Sequence, residues 1–156
     1  MTSATLAELK RELNALEGSR LTELCLRMAK YKVENKELLT YLLYESSDEA
    51  GFVEGAKRDI EEAFAAIPNK NLYYYKKSLR KILRMVNKQA KYSGLPATAL
   101  DLRIHFCLAL RNSGVDFRRS QVIVNLYQQQ LRKIQATLAS LPEDLQGDYA
   151  AAIARL

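Results

Sequence analysis

The run from Leu72 to Tyr92 reads LYYYKKSLRKILRMVNKQAKY. Wound at about 3.6 residues per turn, it separates into two opposed stripes. Leu72, Tyr75, Leu79, Ile82, Leu83, Val86 and Ala90 fall on one side. Lys77, Arg80, Lys81, Arg84, Lys88 and Lys91 fall on the other, with Lys70 and Tyr73 at its start. No acidic residue interrupts the run. A helix of this kind buries its apolar stripe, so the rest of the chain is expected to pack around it.

The flanking segments are helical in pattern as well. Thr5-Leu-Ala-Glu8 reads as a capping box, and Leu6, Leu9, Leu13 and Leu16 follow at spacings of three and four. Gly18 is expected to end this first helix in the left-handed conformation, and Ser19 to cap the second. On that second helix Leu21, Leu24, Cys25 and Met28 face inward. A third helix, from about Asn35 to Glu45, carries Leu38, Leu39, Leu42 and Leu43 on its inner side. Ser46-Ser-Asp-Glu49 reads as a second capping box, opening a fourth helix with Phe52, Val53, Ala56, Ile60, Ala63, Phe64 and Ile67 as its buried stripe. Pro68 and Asn69 stop it.

After the basic helix, Ser93-Gly94 and Pro96 mark an end and a new start. The sixth helix, to about Asn112, is apolar on most sides, as a central helix is. The seventh, from Asp116 to about Ser140, spaces Val124, Tyr127, Leu131, Ile134, Leu138 and Leu141 along one face. Pro142 opens a short final helix. No stretch alternates with period two, and every link is short. The expected fold is all-α: one domain over residues 1–156, of seven to eight antiparallel helices, arranged as a compact bundle or as a short α-solenoid-like stack of helical repeats.

Composition agrees with a globular chain. Of 156 residues 48% are apolar and 27% charged, with 6 Gly and 3 Pro. The longest uncharged apolar runs are far too short to span a bilayer, and the start becomes charged too soon for a signal peptide. A cytoplasmic location without membrane association is the expectation. Cys25 and Cys107 are expected as buried, unpaired thiols. The net charge of +6 is unevenly distributed. Residues 1–68 hold 9 Lys/Arg against 13 Asp/Glu, whereas residues 69–156 hold 15 against 5. That asymmetry points either to an anionic partner or to pairing of the two halves.

Catalytic chemistry has little to build on. His105 is the sole histidine, on the apolar sixth helix. No Cys-x-x-Cys pair, phosphate-cradling glycine loop or nucleophile elbow occurs. Asp59 and Glu62 share a helical face, but Lys57 and Arg58 lie four before Glu61 and Glu62, the spacing of ordinary surface ion pairs. No catalytic residue, cofactor or metal is assigned.

Three runs, LCLRMAKYKVENKELLTYLLYE, LYYYKKSLRKILRMVNKQAKYSG and LRIHFCLALRNSG, spread over about residues 20–115, resemble an uncharacterised family of small all-helical bacterial cytoplasmic proteins. The resemblance implies a helical fold and a bacterial cytoplasmic setting, and carries no activity or site.

Two roles follow. The first is a non-enzymatic interaction module binding another protein. The alternative is nucleic-acid binding of low sequence specificity along the basic helix, residues 70–92. There Lys77, Lys81, Arg84, Lys88 and Lys91 would contact phosphates and Tyr73 would stack on a base. Against the second stands an internal seam, in which Asp59 and Glu62 neutralise the early lysines of the basic helix. The oligomeric state is open.

Overall fold

The computed structural model describes residues 2–68 and 70–156. Among these there are nine α-helices and no strand, so the chain is all-α. No helix is long and apolar enough to cross a membrane among the described residues. Contacts divide the chain into two compact units, one running to Tyr44 and the other from Glu45 to Leu156.

The first unit holds α1 (Leu6–Asn14), α2 (Gly18–Tyr31) and α3 (Val33–Thr40), with a π-helical turn over Tyr41–Glu45 at its end. The capping box forms: Thr5 Oγ1 accepts from the Glu8 amide, and the Glu8 carboxylate accepts from the Thr5 amide at 2.8 Å. Gly18 does not end α1. It is the first residue of α2, whose N-cap is Glu17, and its φ is not positive. Ala15 closes α1 three residues earlier. α2 and α3 pack on one another, and the Asn35 side-chain amide donates to the Met28 carbonyl at 2.9 Å across their junction.

The second unit is built on α4 (Glu49–Ala65), α5 (Leu72–Ser93), α6 (Pro96–Asn112) and α7 (Gln121–Ala139). A 3-10 turn, Phe117–Arg119, precedes α7; the chain closes with α8 (Glu143–Asp148) and α9 (Ala150–Ile153). The anticipated final helix is thus two short ones, with Tyr149 as C-cap of the first and N-cap of the second. The N-cap of α4 is Asp48, which accepts from the Gly51 amide at 3.0 Å, rather than Ser46. Glu49 turns elsewhere: its carboxylate accepts from Ser93 Oγ and Thr98 Oγ1. The start of α4 therefore meets the α5–α6 junction. At the opposite end Phe64, Ile67, Tyr75, Ala109 and Ser113 surround one cavity. Together these contacts make α5 antiparallel to both α4 and α6. Asn71 caps α5 by accepting from the Tyr73 amide, and Gly94 closes it at φ 71°, a left-handed value open to glycine at no steric cost. The stop assigned to Pro68 and Asn69 lies partly outside the described residues, since Asn69 is not among them.

The core follows the two-stripe pattern. Tyr75, Leu79, Ile82, Val86 and Ala90 of α5 are buried. α6 is central: it packs on α4, α5 and α7 and buries Thr98, Leu100, Leu102, Ile104, Phe106, Cys107 and Leu110. α7 buries Ile123, Tyr127, Gln130 and Ile134, a face shifted from the anticipated one, with Val124 and Leu131 only half-buried. Gln130 is fully buried, and neither of its amide atoms has a hydrogen-bond partner among the described residues. The thiols differ from expectation: Cys107 is buried and burial pushes it up to about 12, whereas Cys25 is exposed.

Candidate functional site

Three surfaces could carry function. The first is the outer face of α5. Lys77, Lys81, Arg84 and Lys91 are exposed, together with Arg80. Among the described residues none of these five cations lies within ion-pair distance of a carboxylate. Lys88 is half-buried and is engaged by a neighbour. The anticipated seam with α4 is not formed by Asp59, whose carboxylate accepts from Gln89 Nε2 at 2.8 Å. Glu54, the next acid toward the start of α4, pairs within its own helix with Lys57 at 2.9 Å.

Tyr73 stands at the start of this face, about half exposed. Its ring meets Tyr74 edge-on, with centroids 5.2 Å apart. Lys76 and Lys77 hold their ammonium groups 4.6 and 4.7 Å from the Tyr73 centroid. The ring thus anchors two cations. Arg80 lines a groove shared by α5 and α7, with Leu83 on its own helix and Asn125, Leu126, Gln129 and Arg132 opposite. Arg80 belongs to the stripe read from the sequence; the α7 residues beside it do not, because tertiary packing and not periodicity brings them next to α5.

The second surface is the first unit. Tyr41 is its only buried residue among those described. Twelve large apolar residues there are exposed, from Leu16 at 36% to Tyr31 at 80% and Leu6 at 86%. Met28 of α2 and Leu38, Leu42 and Leu43 at the end of the unit, anticipated as inward, are among them. α1 packs extensively on no other element. Between α2 and α3 runs an apolar groove floored by Leu26, Ala29, Val33, Leu39 and Leu43, with Lys30, Lys32 and Lys36 on its rim.

The third is a polar seam between α4 and α6. His105 Nε2 lies 3.1 Å from Glu61 Oε1, in a geometry short of a hydrogen bond. Burial lowers the imidazole below its ordinary 6.5, with Glu61 pulling the other way. Tyr149 Oη donates to Asp101 Oδ2 at 3.3 Å. Burial raises the Asp101 carboxyl, and burial followed by the Asp101 charge pushes Tyr149 up to about 12. A half-buried imidazole beside one carboxylate could exchange a proton, but no nucleophile stands with it. Among the described residues, no three or more His, Cys, Asp or Glu are grouped so as to hold a metal ion.

No protein-family model, no curated protein and no solved structure matches this chain.

Proposed function

We propose that the protein is a cytoplasmic, non-enzymatic interaction module that binds another protein through the apolar surface of α1–α3. One observation carries this: among the described residues of the unit that ends at Tyr44, one side chain is buried and twelve large apolar residues are open to water. Exposed apolar surface on this scale marks interaction sites in soluble proteins. Burying it is worth about 25 cal/mol per Å², so a partner offering a matching apolar helix gains more here than on the charged outer face of α5. The α2–α3 groove has the form that takes an amphipathic helix, with apolar anchors on its floor and charge on its rim. Affinity capture with the wild type and with a Leu26→Asp/Leu43→Asp variant tests it. A protein held by the first and lost by the second is expected; capture of the same proteins by both, or of none by either, overturns it.

A second reading has its own observation: among the described residues no carboxylate lies within ion-pair distance of Lys77, Lys81, Arg84 or Lys91. Successive turns of α5 set cations about 5–6 Å apart, close enough to follow the phosphates of a nucleic acid. Binding of this origin weakens steeply as salt rises, on DNA and RNA of any sequence. Affinity indifferent to salt would refute it.

A further inference from the structure

We infer that the occupant of the first unit's apolar surface is a second copy of this chain, with α1 of each copy seated in the α2–α3 groove of the other. This rests on the interaction reading above and names its partner. α1 is a complete amphipathic helix with a closed capping box, yet it packs extensively on nothing. Leu6, Leu9 and Leu13 fall within about 60° of one another on a helix turning about 100° per residue, and Leu16 continues them in the link. Spacings of three and four residues are those of a coiled-coil seam, which asks for another helical surface. The groove supplies one, with Leu26, Val33 and Leu43 on its floor.

Charge does not oppose the seat. Glu12, paired with Arg11 at 3.3 Å, flanks the leucine stripe of α1 on one side and Lys10 on the other, so the helix brings two acids and two bases to the contact. The groove rim carries Lys30, Lys32 and Lys36. The unit as a whole holds seven Lys/Arg and six Asp/Glu, so two copies brought together repel little. Area fits as well. Each exposed leucine or tyrosine offers on the order of 100 Å², and reciprocal seating uses stripe and groove of both copies. The surface covered per copy then reaches the about 800 Å² of a standard interface. An exchange of this kind obeys a two-fold axis, the commonest symmetry of soluble assemblies.

Sedimentation velocity on the full chain, over about 1–100 µM, decides the matter. The wild type is expected at twice the chain's 17.8 kDa at the upper end, and a Leu9→Glu/Leu13→Glu variant at the single mass throughout. Both leucines are exposed, so the variant should keep its far-UV circular dichroism. Amide exchange over residues 6–14 of the wild type needs no substitution and should slow as concentration rises. A wild type that stays monomeric with concentration-independent exchange overturns the inference, as does a dimer that both substitutions leave intact. A monomer that still captures another protein through Leu26 and Leu43 would end the self-association alone; the interaction reading would stand.

Discussion

Gln89 of α5 donates its side-chain amide to Asp59 of α4 at 2.8 Å, so this carboxylate meets the basic helix through a neutral amide. Lys81 and Arg84 are exposed and, among the described residues, no carboxylate lies within ion-pair distance of either, so removing them should cost the fold almost nothing. Lys81→Glu/Arg84→Glu is expected to leave the unfolding free energy, measured in urea, within about 0.5 kcal/mol of wild type. On the nucleic-acid reading the same variant loses affinity for all sequences alike, and its salt slope shrinks. A large loss of stability would mean the face is part of the fold.

Gln130 offers a sharper test of packing. Its amide sits fully buried on α7 with both polar atoms unpartnered. Burying such a group costs about 1–3 kcal/mol. Gln130→Leu or Gln130→Met, close to it in volume, should raise stability by a similar amount in chemical denaturation. A loss would show that the amide is satisfied in solution.

Two glycines of α4 should respond differently to the same change. At Gly55 an added Cβ meets only Arg58 Nη2, at 3.8 Å, so Gly55→Ala should stabilise by about 0.5–1 kcal/mol through helix propensity. At Gly51 it would collide with Asp48 Oδ2, in the carboxylate whose Oδ1 accepts from the Gly51 amide as the N-cap. Displacing that cap costs about 1 kcal/mol, which offsets the propensity gain. Equal gains at both sites in thermal melts would contradict the capping role of Asp48.

His105 gives the fold a pH dependence of defined sign. Its folded pKa is lowered from 6.5 by burial, so the unfolded chain binds the proton more readily. Stability is then full above pH 6.5 and declines as pH falls from there through the folded value. Glu61 and Glu54 oppose the shift, and Lys57 adds to it. Comparing wild type with His105→Gln by urea denaturation at pH 7.5 and pH 5 isolates the effect. The wild type should lose more between the two; identical losses would assign the decline to other groups.

How far the sequence disclosed this molecule depends on the range of the force concerned. The opposed stripes of α5, the apolar girth of α6 and the Thr5–Glu8 box are set by neighbours within a turn or two, and they appear where periodicity puts them. Ser46, Ser47 and Asp48 are all competent caps, and nothing local selects among them. Gly18 can serve at either end of a helix, and the three-residue link left both open. Gln130 lies three after Tyr127 and four before Ile134, so the period marked it as inward while its polarity argued otherwise. Periodicity also shows which face of α1 is greasy without saying what covers it, so the leucines of the first unit carry the same signal as core leucines. The exposure of Lys81 and Arg84 was legible; the engagement of Asp59 by Gln89, a contact thirty residues apart, was not.

The position of α6 also bears on how the chain is made. Because α6 packs against α4, α5 and α7 alike, the greasy flanks of α4 and α5 cannot be fully sheltered until the ribosome has delivered residues 96–112. For that interval the nascent polypeptide displays Leu79, Ile82 and Val86 to water, together with a cationic neighbour surface. It is then that chaperones would meet it and that misassembly would compete with folding.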